Sequence, residues 1–379
     1  MGRQLKGRES QKTCHFVWRW GKGKSSSGYR LRIFFIMKAA ILKEPGRLEI
    51  REIRTPECPA GGVRIKIKAC GICSSDAKMV AQGHRALNYP RIPGHEIAGV
   101  IEQSRTNTFK EGDRIQIAPG LRCGKCSYCL KGMDNLCPDR EILGFTYNGG
   151  FAEYISIPIE DGIVGSLNII PEKLSYNHAT IAEPLACCIN AQNKINITKN
   201  DTVLITGAGP LGLLHALVAK YKGVEHILIS EPQTHRRKTA FHTWADTVID
   251  PGTDNMMEKV MTATHNNGVD AIIFACSQVG FNNMFMKLLA PAGRVSIFSG
   301  ITPQFSQISM DFNQIHYNEF FISGAYGCTA DQNRNAMELI SKEPRLAQEL
   351  ITHCVDLDNI LQGIEFTASQ KGLKTVVEV

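Results

Sequence analysis

The segment Val203-Leu204-Ile205-Thr206-Gly207-Ala208-Gly209-Pro210-Leu211-Gly212 constrains the fold of this 379-residue chain more than any other. An apolar run of strand length ends in glycines spaced Gly-x-Gly-x-x-Gly, and Leu213 to Lys220 continues with helical spacing. Glycines at those three positions permit a tight strand-to-helix turn and close packing of the helix on the strand. Ile227 to Ser230, Ala271 to Cys276 and Arg294 to Phe298 read as further buried strands separated by helical stretches. That alternation predicts a parallel, doubly wound α/β sheet.

Such a turn also presents backbone N–H groups and a helix N-terminus to a pyrophosphate. Glu231 stands 19 residues beyond Gly212, at the end of the second strand, where a carboxylate binds a ribose 2′-hydroxyl and repels a 2′-phosphate. NAD is therefore expected rather than NADP, although Arg236 and Arg237 lie close enough to hold an extra phosphate.

The preceding part of the chain is patterned differently. From Met37 to about Gly150, short apolar alternations such as Val63-Arg64-Ile65-Lys66-Ile67-Lys68 are broken by Gly and Pro, the period of half-buried strands. Within it, Cys123-x2-Cys126-x2-Cys129-x7-Cys137 brings four thiolates close enough to surround a tetrahedral Zn²⁺. Four sulfurs leave no open position, so the expected role is structural; an iron–sulfur cluster or free thiols are the competing readings. Cys73, followed two residues later by Ser75, and the pair His95-Glu96 supply a thiolate, an imidazole, carboxylate oxygens and a hydroxyl. A catalytic zinc needs three protein ligands and an open fourth position. The other cysteines, Cys187, Cys188 and Cys328 among them, are expected to be small buried hydrophobes, with a metal role as the lesser alternative for Cys187 and Cys188, which lie close to Glu183 in sequence.

Charge excludes further classes. Residues 1–36 carry nine Lys and Arg against Glu9 alone, so they hold +8 while the whole chain holds +7. The remaining 343 residues are nearly neutral and lack the basic footprint of a nucleic-acid binder. The longest apolar runs are of strand length, far short of the roughly 18 to 20 residues of a membrane-spanning helix. Thirteen cysteines in a chain this long do not read as a disulfide scaffold, and the metal-like spacing of the four-cysteine run points to a reducing, cytoplasmic location. The basic residues 1–36 are expected to be disordered, either as a transit segment or as an extension without a role, with the folded body starting at Met37.

Taken in this order, the two cysteine groups and the glycine turn resemble the zinc-dependent medium-chain alcohol dehydrogenases. The likeness runs from Met37 to Val379 and includes Tyr89-Pro90-Arg91-Ile92-Pro93, Asn148-Gly149-Gly150-Phe151-Ala152-Glu153-Tyr154 and Ala182-Glu183-Pro184-Leu185. The resemblance implies a GroES-like, β-rich catalytic domain over residues 37–185 and 326–379 and a Rossmann NAD-binding domain over residues 186–325. It implies two zinc ions per chain: a catalytic one on Cys73, His95 and Glu96, and a structural one on Cys123, Cys126, Cys129 and Cys137. Ser75 matches the proton-relay hydroxyl, and Lys78 replaces a histidine that continues the relay in many members. Glu183 matches the glutamate of the polyol and threonine dehydrogenases, where it binds the metal or assists proton transfer. Gly207, Gly209, Leu211, Gly212, Glu231 and Arg236 match the cofactor contacts, with Phe298 to Gly300 and Ala325-Tyr326 on the nicotinamide side.

The expected reaction is hydride transfer from a secondary alcohol, first a polyol or sugar alcohol, to NAD. L-threonine 3-dehydrogenase and 2,3-diol dehydrogenase are the alternatives, and a non-catalytic NAD-binding sensor is the alternative of another class. A homodimer or homotetramer is implied by the resemblance.

Overall fold

The computed structural model describes residues 35–159, 163–279, 282–303, 306, 307 and 309–379. The basic extension therefore lies almost wholly outside the described residues. Ile36–Val379 forms one compact unit built on two large sheets.

The glycine turn sits where its pattern predicts. Thr202–Thr206 is a fully parallel central strand between His226–Ser230 and Val269–Phe274. Thr247–Ile249, Leu289–Ile297 and Phe321–Gly324 complete a six-stranded parallel sheet. In chain order its strands run 3-2-1-4-5-6, so the topology reverses beside Thr202–Thr206, and ligands bind in the crevice at the carboxyl ends of such strands. Gly207 follows that strand with φ +98°, a conformation glycine adopts without steric cost. A Cβ on Gly212 would overlap the Gly207 carbonyl, so the third glycine closes the turn against the helix Pro210–Tyr221.

The second sheet has seven strands and is antiparallel apart from the pair Ile351–Asp356 and Lys374–Glu378. Its centre is Gly62–Ile72, which pairs with Glu96–Ser104, Tyr154–Pro158 and Lys374–Glu378. Alternating residues of this strand, Val63, Ile65 and Ile67, are fully buried, as its period-two pattern predicts.

The stretch Ser175 to Ile189 has helical spacing, and it folds as two helices rather than one, Tyr176–Ala179 and Ala182–Lys194. Ser175 caps the first by accepting from His178 N at 3.1 Å. The second helix is buried along most of its length, in a core that also holds Ala98 of the seven-stranded sheet and Val203, Ile205 and Ile273 of the six-stranded one. One body of side chains thus joins the two sheets. Among the described residues, no helix is long and apolar enough to cross a membrane.

Candidate active site

Three strand ends build the site. Gly62–Ile72 ends one residue before Cys73, and Glu96–Ser104 begins at Glu96, with Gly71 paired to Glu96 across the antiparallel ladder. That register sets Cys73 beside His95 and Glu96, and one ligand atom from each lies within 4.8 Å of the others. Lys374–Glu378 lies on the other side of Gly62–Ile72, with Thr375 opposite Ile72. Lys374 thereby reaches Glu96 and forms a buried ion pair with its Oε1.

Glu96 is wholly buried, and its Oε2 has no hydrogen-bond partner. A Cβ at Gly71 would overlap that oxygen, so glycine leaves the space the carboxylate occupies. An orphaned, buried carboxylate oxygen beside a thiol and an imidazole fits a cation, because a buried charge is paired or coordinates metal.

Asp76 organises the other two groups. It is wholly buried, and its Oδ2 accepts from Cys73 N at 2.8 Å, so it fixes the first turn of the helix Ser74–Gln82. Its Oδ1 stands 3.3 Å from His95 Nδ1. Metal-binding histidines characteristically give their second ring nitrogen to a carboxylate, which fixes the tautomer. Burial pulls His95 toward the neutral form, but the Asp76 charge beside it and the neighbouring Cys73 outweigh it, and the net pKa lies well above the usual value. For Lys374, burial lowers the pKa and the Glu96 charge raises it, with a net rise.

Ser75 is half-buried in the first turn after Cys73, while Lys78 is exposed. Glu183 lies in the first turn of Ala182–Lys194 and is only 8% exposed. Burial raises its pKa, and the charges of His95, Glu96 and Lys374 all reach it. One of its carboxylate oxygens lies within 4.8 Å of Cys187 Sγ and Cys328 Sγ, and the carboxylate accepts from Cys187 Sγ at 3.4 Å. For Cys187 this grouping favours the alternative of a donor beside Glu183 over that of a buried hydrophobe.

The four-cysteine lobe forms as spaced. Cys123, Cys126, Cys129 and Cys137 come within 4.8 Å of one another, with Cys126–Cys129 at 3.5 Å and Cys137–Cys123 at 3.6 Å. Sulfurs bound tetrahedrally to zinc at about 2.3 Å stand about 3.8 Å apart, so these separations fit a Zn²⁺. Backbone N–H groups of Lys125 and Cys126 bring the Cys123 thiol down to about 7, closer to the thiolate a metal binds.

In the cofactor crevice, Glu231 is 3% exposed at the end of its strand. Its Oε2 accepts from Ala208 N in the glycine turn and its Oε1 from Gln233 N, both at 2.8 Å. Leu211 is half-buried at the start of the helix. Arg236 packs beside Gly209 and donates to the carbonyls of Gln370 and Gly372 at 3.0 and 3.2 Å. Arg237 is paired with Asp250 at 2.7 Å and donates to Glu231 O. Phe298 packs edge-on against the buried His215, with ring centroids 4.4 Å apart, whereas Tyr326 is 62% exposed.

Asp76, Lys374 and Cys328 escape the sequence reading. The Cys73-x-x-Asp76 spacing is a capping-box signal that could have found Asp76; nothing local marks the other two.

Residues 59–165 match the alcohol dehydrogenase GroES-like domain and residues 210–342 the zinc-binding dehydrogenase model. The L-threonine 3-dehydrogenase of Pyrococcus furiosus is 34% identical over 272 residues, 70% of this chain and 76% of that protein. The sorbitol dehydrogenase of Bacillus subtilis is 31% identical over 297 residues, 76% of this chain and 82% of that one. An Escherichia coli alcohol dehydrogenase solved with NADH superposes with a TM-score of 0.81 at 28% identity, covering 91% of this chain and 99% of its own. With both sheets, both cysteine groups and the glycine turn in place, the chain belongs to the zinc-dependent medium-chain alcohol dehydrogenase family and is an oxidoreductase.

Proposed function

We propose that this enzyme oxidises a secondary alcohol of the polyol class with NAD, using a catalytic zinc on Cys73, His95 and Glu96 and a structural zinc on Cys123, Cys126, Cys129 and Cys137. The observation that carries the reading is the convergence of Cys73, His95 and the orphaned Glu96 Oε2 from two strand ends into one group. On the same reading, residues 37–185 and 326–379 form the catalytic domain and residues 186–325 the cofactor domain, a division supported by the two sheets.

Zinc held there supplies a Lewis acid that favours the ionised form of a bound hydroxyl, and NAD supplies the hydride acceptor. The protein's own groups do the rest. Asp76 holds the His95 ring in orientation, and Lys374 holds Glu96 by Oε1 so that Oε2 stays directed inward. Ser75 Oγ accepts the substrate hydroxyl proton and releases its own toward solvent, where the exposed Lys78 lies one turn further on. The buried Glu183 carboxylate accepts hydrogen bonds from further hydroxyls of the substrate. This favours a polyol, and the Bacillus relative acts on sorbitol. Threonine is the second reading, favoured by the Pyrococcus relative.

Glu231 supports NAD over NADP. Arg237 is paired with Asp250, and Arg236 directs its Nη2 to two backbone carbonyls, which weighs against either arginine holding a 2′-phosphate. The family's homodimer or homotetramer is the expected assembly, and a thiol-based metal lobe suits a reducing cytoplasm.

The test is zinc content together with initial rates on sorbitol, L-threonine and 2,3-butanediol with NAD and NADP. Wild type is expected to hold two zinc ions and reduce NAD with sorbitol. Cys73→Ser is expected to hold one and to lose turnover by about 100-fold or more, since even outer-shell partners cost that much. Near-normal turnover of that variant with a single zinc would overturn the catalytic assignment, and turnover of threonine alone would move the substrate.

A further inference from the structure

Beside the candidate catalytic ligands lies a second group of donors, of which the mechanism above uses only Glu183. Glu183 and Cys187 are four residues apart on the helix Ala182–Lys194, so their side chains share one face. Cys328 comes from the connection between the strand Phe321–Gly324 and the helix Ala330–Lys342. That connection is tied down on both sides of the thiol. Asn190, on the same helix as Cys187, donates to Gly327 O at 2.9 Å and accepts from Gln332 at 3.1 Å, while Thr329 caps the following helix. The three ligand atoms lie within 4.8 Å of one another, and the Glu183–Cys187 contact of 3.4 Å is close to the edge of a tetrahedron built on zinc–sulfur and zinc–oxygen bonds of about 2.3 and 2.1 Å.

We propose that Glu183, Cys187 and Cys328 form a second, thiolate-rich site for a soft divalent cation, Zn²⁺ or Cd²⁺, and that its occupancy inhibits the enzyme by engaging Glu183. Two thiols and a carboxylate select such an ion over Mg²⁺ or Ca²⁺, which take oxygen ligands. Binding releases the two thiol protons to solvent and leaves a fourth position open. The bonds from Asn190 hold the loop against the helix before any ion arrives, so little ordering remains to oppose binding. On the reading above Glu183 is common to this site and the substrate cleft, and the charges of His95, Glu96 and Lys374 reach it. The metal-binding half stands apart from the dehydrogenase reading; the inhibitory half rests on it.

The test titrates the full-length, zinc-loaded protein with Cd²⁺ under a phosphine reductant. It records the sulfur-to-cadmium ultraviolet band, bound cadmium and released zinc. Wild type is expected to take up one more cadmium per chain than Cys187→Ser or Cys328→Ser, without releasing zinc. Cys188→Ser, whose thiol faces the Leu211 carbonyl instead, is expected to match wild type. Cadmium uptake equal in wild type and both variants, or matched by zinc release, would overturn the site. Should the variants fold poorly, cadmium NMR of the wild type decides: a two-thiolate resonance supports the site, and a four-thiolate resonance alone overturns it. In rate assays, wild type is expected to lose turnover at cadmium levels that leave Cys328→Ser active, and equal loss in both overturns the inhibitory half. A protein that binds the extra ion but oxidises no alcohol would instead count against the dehydrogenase reading alone.

Discussion

Lys374 shows how far a single side chain can travel through a fold. It is 278 residues from Glu96 in sequence, yet the antiparallel pairing of three strands brings the two together with 5% and 0% exposure. Replacing Lys374 by Met removes one partner of a buried pair and leaves the other charge uncompensated, which typically costs about 3 to 5 kcal/mol. If Glu96 also ligates zinc, the metal supplies part of the missing positive charge. Lys374→Met is therefore expected to lower the unfolding free energy by about 3 to 5 kcal/mol in chelator-treated protein, and by clearly less in zinc-loaded protein. Denaturant melts with and without chelator measure both; an equal loss in the two states would argue that Glu96 does not meet the metal. Cys73, His95 and Glu96 were legible in the sequence because metal ligands are rare residue types in short motifs. Lys374 was not, because its role arises only from strand register, and a lone lysine near a C-terminus carries no local signal. Cys328 was missed for the same reason: its partners are on a helix some 140 residues earlier, as the Asn190–Gln332 bond shows.

At the scale of elements, the four-cysteine lobe does more than hold itself together. Asp134, which pairs with Arg122, also accepts from Ala330 N at 3.3 Å at the start of the helix Ala330–Lys342. The neighbouring Asn135 donates to Tyr326 O at 2.9 Å, and the Arg140 guanidinium lies 5.6 Å above the Tyr326 ring. The lobe thus grips both ends of the segment that carries Cys328. Its own fold depends on short turns, with Gly124 and Gly132 at φ +72° and +69°, and has few buried apolar groups of its own. Removing its metal ligands removes what organises it. In Cys129→Ser, amide hydrogen exchange is expected to quicken across residues 326–333 as well as in the lobe, while Thr202–Thr206 stays as protected as in wild type. Exchange that changes only in the lobe would show that the grip has no energetic weight. The elements themselves were largely readable: the strand after which each motif sits, the glycine turn and the parallel order all follow from periodicity. The split of Ser175 to Ile189 into two helices was not, because Ala179, Ile181 and Ala182 carry the apolar pattern across the break, while Thr180 Oγ1 donates to Asn177 O and closes the first helix.

For the whole molecule, the question is how the two sheets, which share the core around Ala182–Lys194, stay in register across the cofactor crevice. One seam is buried. Asn168 of the seven-stranded sheet donates to Asn333 at 2.8 Å and to Gln116 at 3.1 Å, tying that sheet to the helix that follows the six-stranded one. The other seam is at the crevice, where Arg236 reaches from the helix Thr234–Thr243 to the carbonyls of Gln370 and Gly372. Those residues directly precede Lys374, so a contact made beside the glycine turn continues into the strand that holds Glu96. The two seams should fail differently. Asn168→Ala leaves buried amides unpaired and is expected to cost about 1 to 3 kcal/mol of stability, with little change in the KM for NAD. Arg236→Ala removes two bonds at the cofactor crevice whose acceptors belong to the exposed Gln370 and the half-buried Gly372. It is expected to raise the KM for NAD on the order of tenfold, the equivalent of about 1.4 kcal/mol, and to shift the melting temperature less than Asn168→Ala does. Melting curves and NAD saturation kinetics on the two variants separate these outcomes, and a shared effect on both quantities would mean that the sheets move as one rigid body with no distinct crevice seam.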